Sequence, residues 1–151
     1  MLKILLLALV LPVAGFAHEV HVGDLTITHP HIPQPPPIAK SAAGYLKIAN
    51  AGAEDDRLIG IEITGIGMAM LHETKVDADG MTGMDMLTAL DIPAGETVSL
   101  EPGAMHIMLT GLSAPLTEWE MLPATLVFEH AGRVAVEFMV EPKGDTSHDH
   151  D

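Results

Sequence analysis

The sequence predicts an all-β fold, a single-domain Greek-key β-barrel or sandwich. Two observations carry this reading. Apolar residues recur at every second position in short runs, the spacing of half-buried strands. The runs are parted by turn signals at Asn50-Ala51-Gly52, Asp79-Gly80, Pro93-Ala94-Gly95, Pro102-Gly103 and Ala131-Gly132. No long stretch shows a helical period and no segment repeats, so short strands and frequent turns favour a β-sandwich or Greek-key barrel.

Met1–Ala17 has the build of a secretory signal and stands outside the predicted fold. Lys3 supplies the positive start, Ile4–Val13 the apolar run, and Gly15-Phe16-Ala17 the small-residue end. The apolar run is too short to span a membrane. Cleavage near Ala17 is expected to leave an exported protein that begins at His18 and has no membrane span. Residues 18–142 then form the β-domain, and 143–151 a polar His/Asp tail expected to be disordered.

Within the domain, Asp24–His29 is expected as a strand with Leu25 and Ile27 on one face. Ile32–Ile38 holds four prolines and is expected as a loop or polyproline segment. Gly44–Asn50 alternates, with Leu46 and Ile48 opposite Tyr45, Lys47 and Ala49. Leu58–Thr64, Met70–Val76, Met84–Leu90, Thr97–Glu101 and His106–Leu112 follow as strands. Thr125–His130 and Val134–Val140 form a hairpin about Ala131-Gly132.

Composition narrows the chemistry. The chain has 151 residues, enough for one domain with a real core. Hydrophobic residues make up 48% but aromatics only 3%, so the core is expected to rest on aliphatics and methionine. The formal net charge of −14 argues against nucleic acid or an anionic membrane surface as partner. No cysteine is present, which leaves no disulfide and rules out a His₂Cys blue-copper site.

Methionine and histidine then draw attention at Met105-His106-Ile107-Met108. Side chains alternate faces along a strand, so Met105, Ile107 and Leu109 share one face and His106, Met108 and Thr110 the other. The first set makes the better core face, which leaves His106 beside Met108 and away from the core. Met70 and His72 pair in the same way opposite Leu71, and Met84 and Met86 opposite Asp85. Imidazole plus thioether is a neutral, soft donor set suited to Cu(I) and poorly suited to Mg²⁺ or Ca²⁺.

Several stretches of the chain resemble the periplasmic copper chaperones known as PCu(A)C. They are Val22–Pro30, Ala43–Asn50, Asp56–Gly60, Leu71–Thr74, Ile92–Gly95 and Glu101–Leu109. The family's ligand pattern is a His, about ten residues, a Met, twenty-one residues, then His-x-Met. Met84 and His106 here are separated by twenty-one residues and Met108 follows, while His72 and Met84 are separated by eleven. The resemblance implies a cupredoxin-like barrel and Cu(I) ligation by His72, Met84, His106 and Met108. It further implies delivery of copper to the cytochrome c oxidase subunit that carries Cu(A), or to another periplasmic copper protein. The chain departs from the family at His31 and Met105, positions that are often aromatic there. Met105 is a candidate for an additional thioether, as is Met86 on the face of Met84.

Other histidines suit a different ion. His148 and His150 alternate with Asp149 and Asp151, nitrogen and carboxylate donors fit for Cu(II). His18, once amino-terminal, can chelate Cu(II) through its amine and ring. His29 and His31 read as structural or docking residues, and His130 as an exposed turn residue. A non-enzymatic chaperone is the leading function. Two others stay open on sequence alone: an exported metal enzyme (copper oxidase or zinc hydrolase), and a β-sandwich assembly module without metal. The chain shows no Ser/His/Asp pattern and no Gly-rich phosphate loop, and Glu73 points away from His72 on a strand.

Overall fold

The computed structural model describes residues 19–144. The signal segment 1–17, His18, and the tail histidines His148 and His150 lie outside them. The described residues form eleven strands: β1 (Glu19–Val22), β2 (Leu25–Pro33), β3 (Ser41–Asn50), β4 (Asp56–Ile63), β5 (Ile66–Val76), β6 (Thr82–Leu87), β7 (Leu90–Ile92), β8 (Thr97–Leu100), β9 (Met105–Leu112), β10 (Met121–Phe128) and β11 (Gly132–Glu141). The fold is all-β and cupredoxin-like. No helix among the described residues is long and apolar enough to cross a membrane.

The strands follow the spatial order β6-β5-β9-β3-β2-β11-β10-β4-β7, with β1 on β2 and β8 on β3. Hairpins join β2 to β3, β5 to β6 and β10 to β11. β9 slots between β5 and β3, distant partners in sequence, as Greek-key crossovers require. β3 holds β9 along its first half (Gly44 opposite Ile107) and β8 along its second (Leu46 opposite Leu100). Glu101–Ala104 leaves the ladder between them and closes its own turn, with Ala104 N–H donating to Glu101 C=O at 3.1 Å.

The core is built from Leu, Ile and Val with Phe128 and Phe138. The expectation that methionine would share this work is corrected: the buried core holds none, and Met68, Met81, Met84 and Met86 are exposed. Leucine, isoleucine and valine fill the fully buried inner positions among the described residues, and of the methionines Met105 alone is placed against their edge.

Three strand assignments also need correction. The proline-rich segment does not start at Ile32. β2 runs on to Pro33 with Ile32 fully buried, because β11 pairs with it in parallel there (Val140 opposite Ile32). Met84–Leu90 is not one strand: β6 pairs with β5 and β7 with β4, and the chain changes partner at Thr88-Ala89. β1 is an additional strand, folded back on β2 through Gly23-Asp24.

Two polar groups pin the far end of the barrel. Buried Asn50 donates from Nδ2 to the carbonyls of Glu54 (2.8 Å) and Ile92 (3.1 Å) and accepts from Gly52 N–H. Buried Asp56 accepts from the N–H groups of Arg57 (2.7 Å), His130 (2.9 Å) and Ala131 (3.0 Å). Asp56 thereby ties the start of β4 to the β10–β11 turn.

Candidate metal centre

The outer face of β6-β5-β9 collects the histidines and methionines. In the ladder between β5 and β9, His72 stands directly opposite His106 and Met70 opposite Met108. In the ladder between β5 and β6, Met86 stands opposite His72 and Met84 opposite Thr74. Directly paired side chains on one face lie about 5 Å apart at Cβ, and diagonal ones about 7–8 Å. His72, His106, Met108, Met84, Met86 and Met70 therefore share one patch of one face.

Alternation assigns the two faces as the sequence predicted. Ile107 and Leu109 are fully buried in the core. Met105 packs against that core, on the face opposite His106. A further thioether from Met105 is therefore not presented to the histidines. On the β5–β6 hairpin the charges are segregated too: Lys75 pairs with Asp85 (2.8 Å) and Glu73 (3.7 Å) on the face away from His72. The face that carries His72 and Met84 is left neutral on this hairpin.

The β5–β6 turn absorbs the eleven-residue interval from His72 to Met84. Asp77 N–H donates to Met81 C=O at 2.9 Å, and the Asp77 carboxylate accepts from Asp79 and Met81 N–H at 2.9 and 2.8 Å. Gly80 takes φ +79°, which an ordinary L-residue adopts only with strain. The closed turn keeps Met84 on the same face as His72.

His106 lies on this outer face and yet is only 7% exposed. β9 is an interior strand, so neighbours cover His106 from both sides. The rings of His72 and His106 meet edge to face with centroids 5.6 Å apart. Burial, and then the neighbouring His72, lower the pKa of His106. A neutral imidazole keeps a lone pair for a metal. His72 Nδ1 is buried with no hydrogen-bond partner. An unpaired buried nitrogen is costly, by about 1–3 kcal/mol, unless something meets it. Coordinated metal would satisfy it, so the donor set fits a soft ion.

The depressed His106 pKa carries a pH signature. The folded state releases the His106 proton more readily than the unfolded state does. Its contribution to stability is complete above the unfolded histidine value of about 6.5 and is lost as pH falls below it. Urea melts of the wild type are expected to weaken between pH 7.5 and 5.5 more than those of His106→Gln. Equal losses in the two proteins would exclude this origin.

Residues 25–140 match the family model "Putative lipoprotein LpqE-like". The chain belongs to the LpqE-like family. A curated relative of this LpqE-like protein, "Putative lipoprotein Lxx21020" of Leifsonia xyli subsp. xyli (strain CTCB07), is 34% identical over 86 residues. That match covers 57% of this chain and 52% of the relative, so it spans about half of that protein. Among solved structures, the copper-bound PCuAC domain from PmoF2 superposes with TM-score 0.71 at 29% identity, covering 83% of this chain and 98% of that one. The CuI-bound DR1885 from Deinococcus radiodurans superposes with TM-score 0.62 at 27% identity, covering 83% and 81%. The resemblance to PCu(A)C domains expected from the sequence is borne out.

The register brings together His72, Met84, Met86, His106 and Met108. His18, His148 and His150 lie outside the described residues. Met70 is the residue that sequence reasoning undervalued. Its place two before His72 put it on the right face, but only the β5–β9 register puts it opposite Met108.

Proposed function

We propose that this LpqE-like protein is a non-enzymatic Cu(I) carrier of the periplasm, exported after cleavage near Ala17. His72, Met84, His106 and Met108 hold the ion. The observation that carries this reading is the direct cross-strand pairing of His72 with His106 on a neutral, methionine-rich outer face. Two imidazoles and two thioethers prefer Cu(I) to harder or more highly charged ions. The likeness to copper-bound PCuAC domains supports the same cargo.

Location favours transfer over catalysis. Met84 and Met86 are 57% and 64% exposed, so thioethers rim the site on its solvent side. A partner's ligands can replace such weak neutral donors one at a time. The acceptor we propose is the oxidase subunit that carries Cu(A), or another periplasmic copper protein. His18, His148 and His150 would serve as accessory Cu(II) donors.

X-ray absorption of the Cu(I)-loaded protein is expected to give two sulfur and two nitrogen scatterers. Coordination by nitrogen and oxygen alone would refute the site. Met84 and Met86 can be told apart with leucine substitutions, which keep volume and remove sulfur. Met84→Leu is expected to weaken Cu(I) binding about 10- to 100-fold, the scale of losing a ligand's support, and Met86→Leu less. The reverse order would move the fourth ligand to Met86, which stands directly opposite His72.

A further inference from the structure

A second group of donors stands two strands away on β2. Along this strand Leu25 and Ile27 face the core, and so does Ile32, which lies on the other parity. The change of phase occurs at His29, whose φ is +52°. Pairing with β3 shifts by one residue there, from Thr28 opposite Lys47 to His31 opposite Tyr45. This is a β-bulge, and it is what turns His31 outward. Without it His31 would follow Ile27 into the core. With it, both histidines stand on the outer face.

The outcome is a built arrangement. The two rings stack with centroids 4.1 Å apart and planes 11° from parallel. His29 Nε2 hydrogen-bonds to Glu141 Oε1 at the end of β11. His31 Nδ1 lies 3.0 Å from the carbonyl of His29 and must donate to it, since a carbonyl only accepts. That fixes the tautomer and leaves His31 Nε2 with its lone pair free. One donor atom from each of His29, His31 and Glu141 falls within 4.8 Å of the other two. A left-handed histidine is uncommon, and glycine would adopt this φ without strain. Strained backbone of this kind concentrates where a side chain has a task.

We propose that His29, His31 and Glu141 form a second metal site, for a divalent transition-metal ion. Two imidazoles and a carboxylate suit Zn(II) and Cu(II), with Cu(II) the tighter by the usual affinity order. They do not suit Cu(I), which the thioether face serves. The three residues leave a coordination position open. Binding replaces the proton that His29 Nε2 and Glu141 Oε1 now share with a metal ion, at metal–nitrogen bonds of about 2.0–2.1 Å.

The site shares a face of the sheet with the His72/His106 cluster. Tyr45 lies on the same side of β3 as Ala43, which pairs with Met108. The Tyr45 ring is 5.6 Å from that of His31. Two interstrand spacings, about 10 Å, separate β9 from β2. The ligand sets do not overlap, so this proposal stands whether or not the cluster binds Cu(I).

The test uses Zn(II) alone, which is diamagnetic and leaves each imidazole readable by nitrogen NMR. Titration of the full-length protein is expected to shift the ring nitrogens of His29 and His31 together, saturating at one ion per chain for this pair. Glu141→Gln should weaken the event at least tenfold. His29→Asn, which tolerates the left-handed backbone, should abolish it with the fold intact. The double variant His72→Ala/His106→Ala should leave it unchanged. Unmoved His29 and His31 rings when the other histidines are saturated would overturn the proposal. So would loss of the event in the His72/His106 variant, or full affinity in His29→Asn.

Discussion

Replacing His106 and Met108 together with alanine is expected to abolish measurable Cu(I) binding, a loss of more than about 10²–10⁴-fold in affinity. Loss of an outer-shell partner alone costs about 10- to 100-fold, and each of these changes removes a proposed ligand outright. Both residues project from β9, an interior strand whose other face carries Ile107 and Leu109 into the core. Those two residues are untouched, so the strand is expected to hold its register. Competition with a chromogenic Cu(I) chelator measures the loss, and far-ultraviolet circular dichroism checks the fold. Met108→Leu alone separates sulfur from volume: it should weaken binding while leaving stability near wild type. Wild-type affinity in the double variant would remove β9 from the site.

The second large effect is on stability. Asp56→Ala is expected to cost about 3–5 kcal/mol, because it strands three N–H donors that the carboxylate now meets. Burial pushes the Asp56 carboxyl up, but the N–H groups of His130, Arg57 and Ala131 and the nearby His130 ring outweigh it, and the net shift is downward. A carboxyl held low stabilises the fold above its unfolded value of about 3.9, and that contribution fades as pH falls through the lower folded value. Urea unfolding at neutral pH measures the loss, and Asp56→Asn should lie between alanine and wild type. Asp56 is at the start of β4, where it pairs with β7 and holds the β10–β11 turn rather than any residue of the His72/His106 cluster. Cu(I) affinity should therefore survive in the folded fraction. A change of less than 1 kcal/mol in Asp56→Ala would mean that water takes over the three donors.

The part of the site that lies within one strand was legible in the chain itself. Alternation alone placed His106 beside Met108, and Ile107 and Leu109 in the core, since every second side chain on a strand shares a face. The part that depends on register was not. Nothing local states that Met86 faces His72 or that Met70 faces Met108. Those pairings follow from the length of the Asp77–Met81 turn and from β9 inserting beside β5. Local reasoning also failed at β2, where prolines suggested a loop from Ile32. A parallel partner, β11, can hold such a segment extended, and no local signal announces it.

The sequence by itself determined that this protein is all-β, that its outer faces carry histidine and methionine, and that its donors include a soft set. Those properties are set by period-two patterning and donor chemistry, which are local. Tertiary structure alone decided that His106 is buried, that His72 Nδ1 lacks a partner, and that His29 and His31 face outward beside Glu141. The reason is physical. Burial and cross-strand neighbours depend on which distant strands pair and in what register, and a one-residue bulge at His29 reverses the face of every residue that follows on its strand.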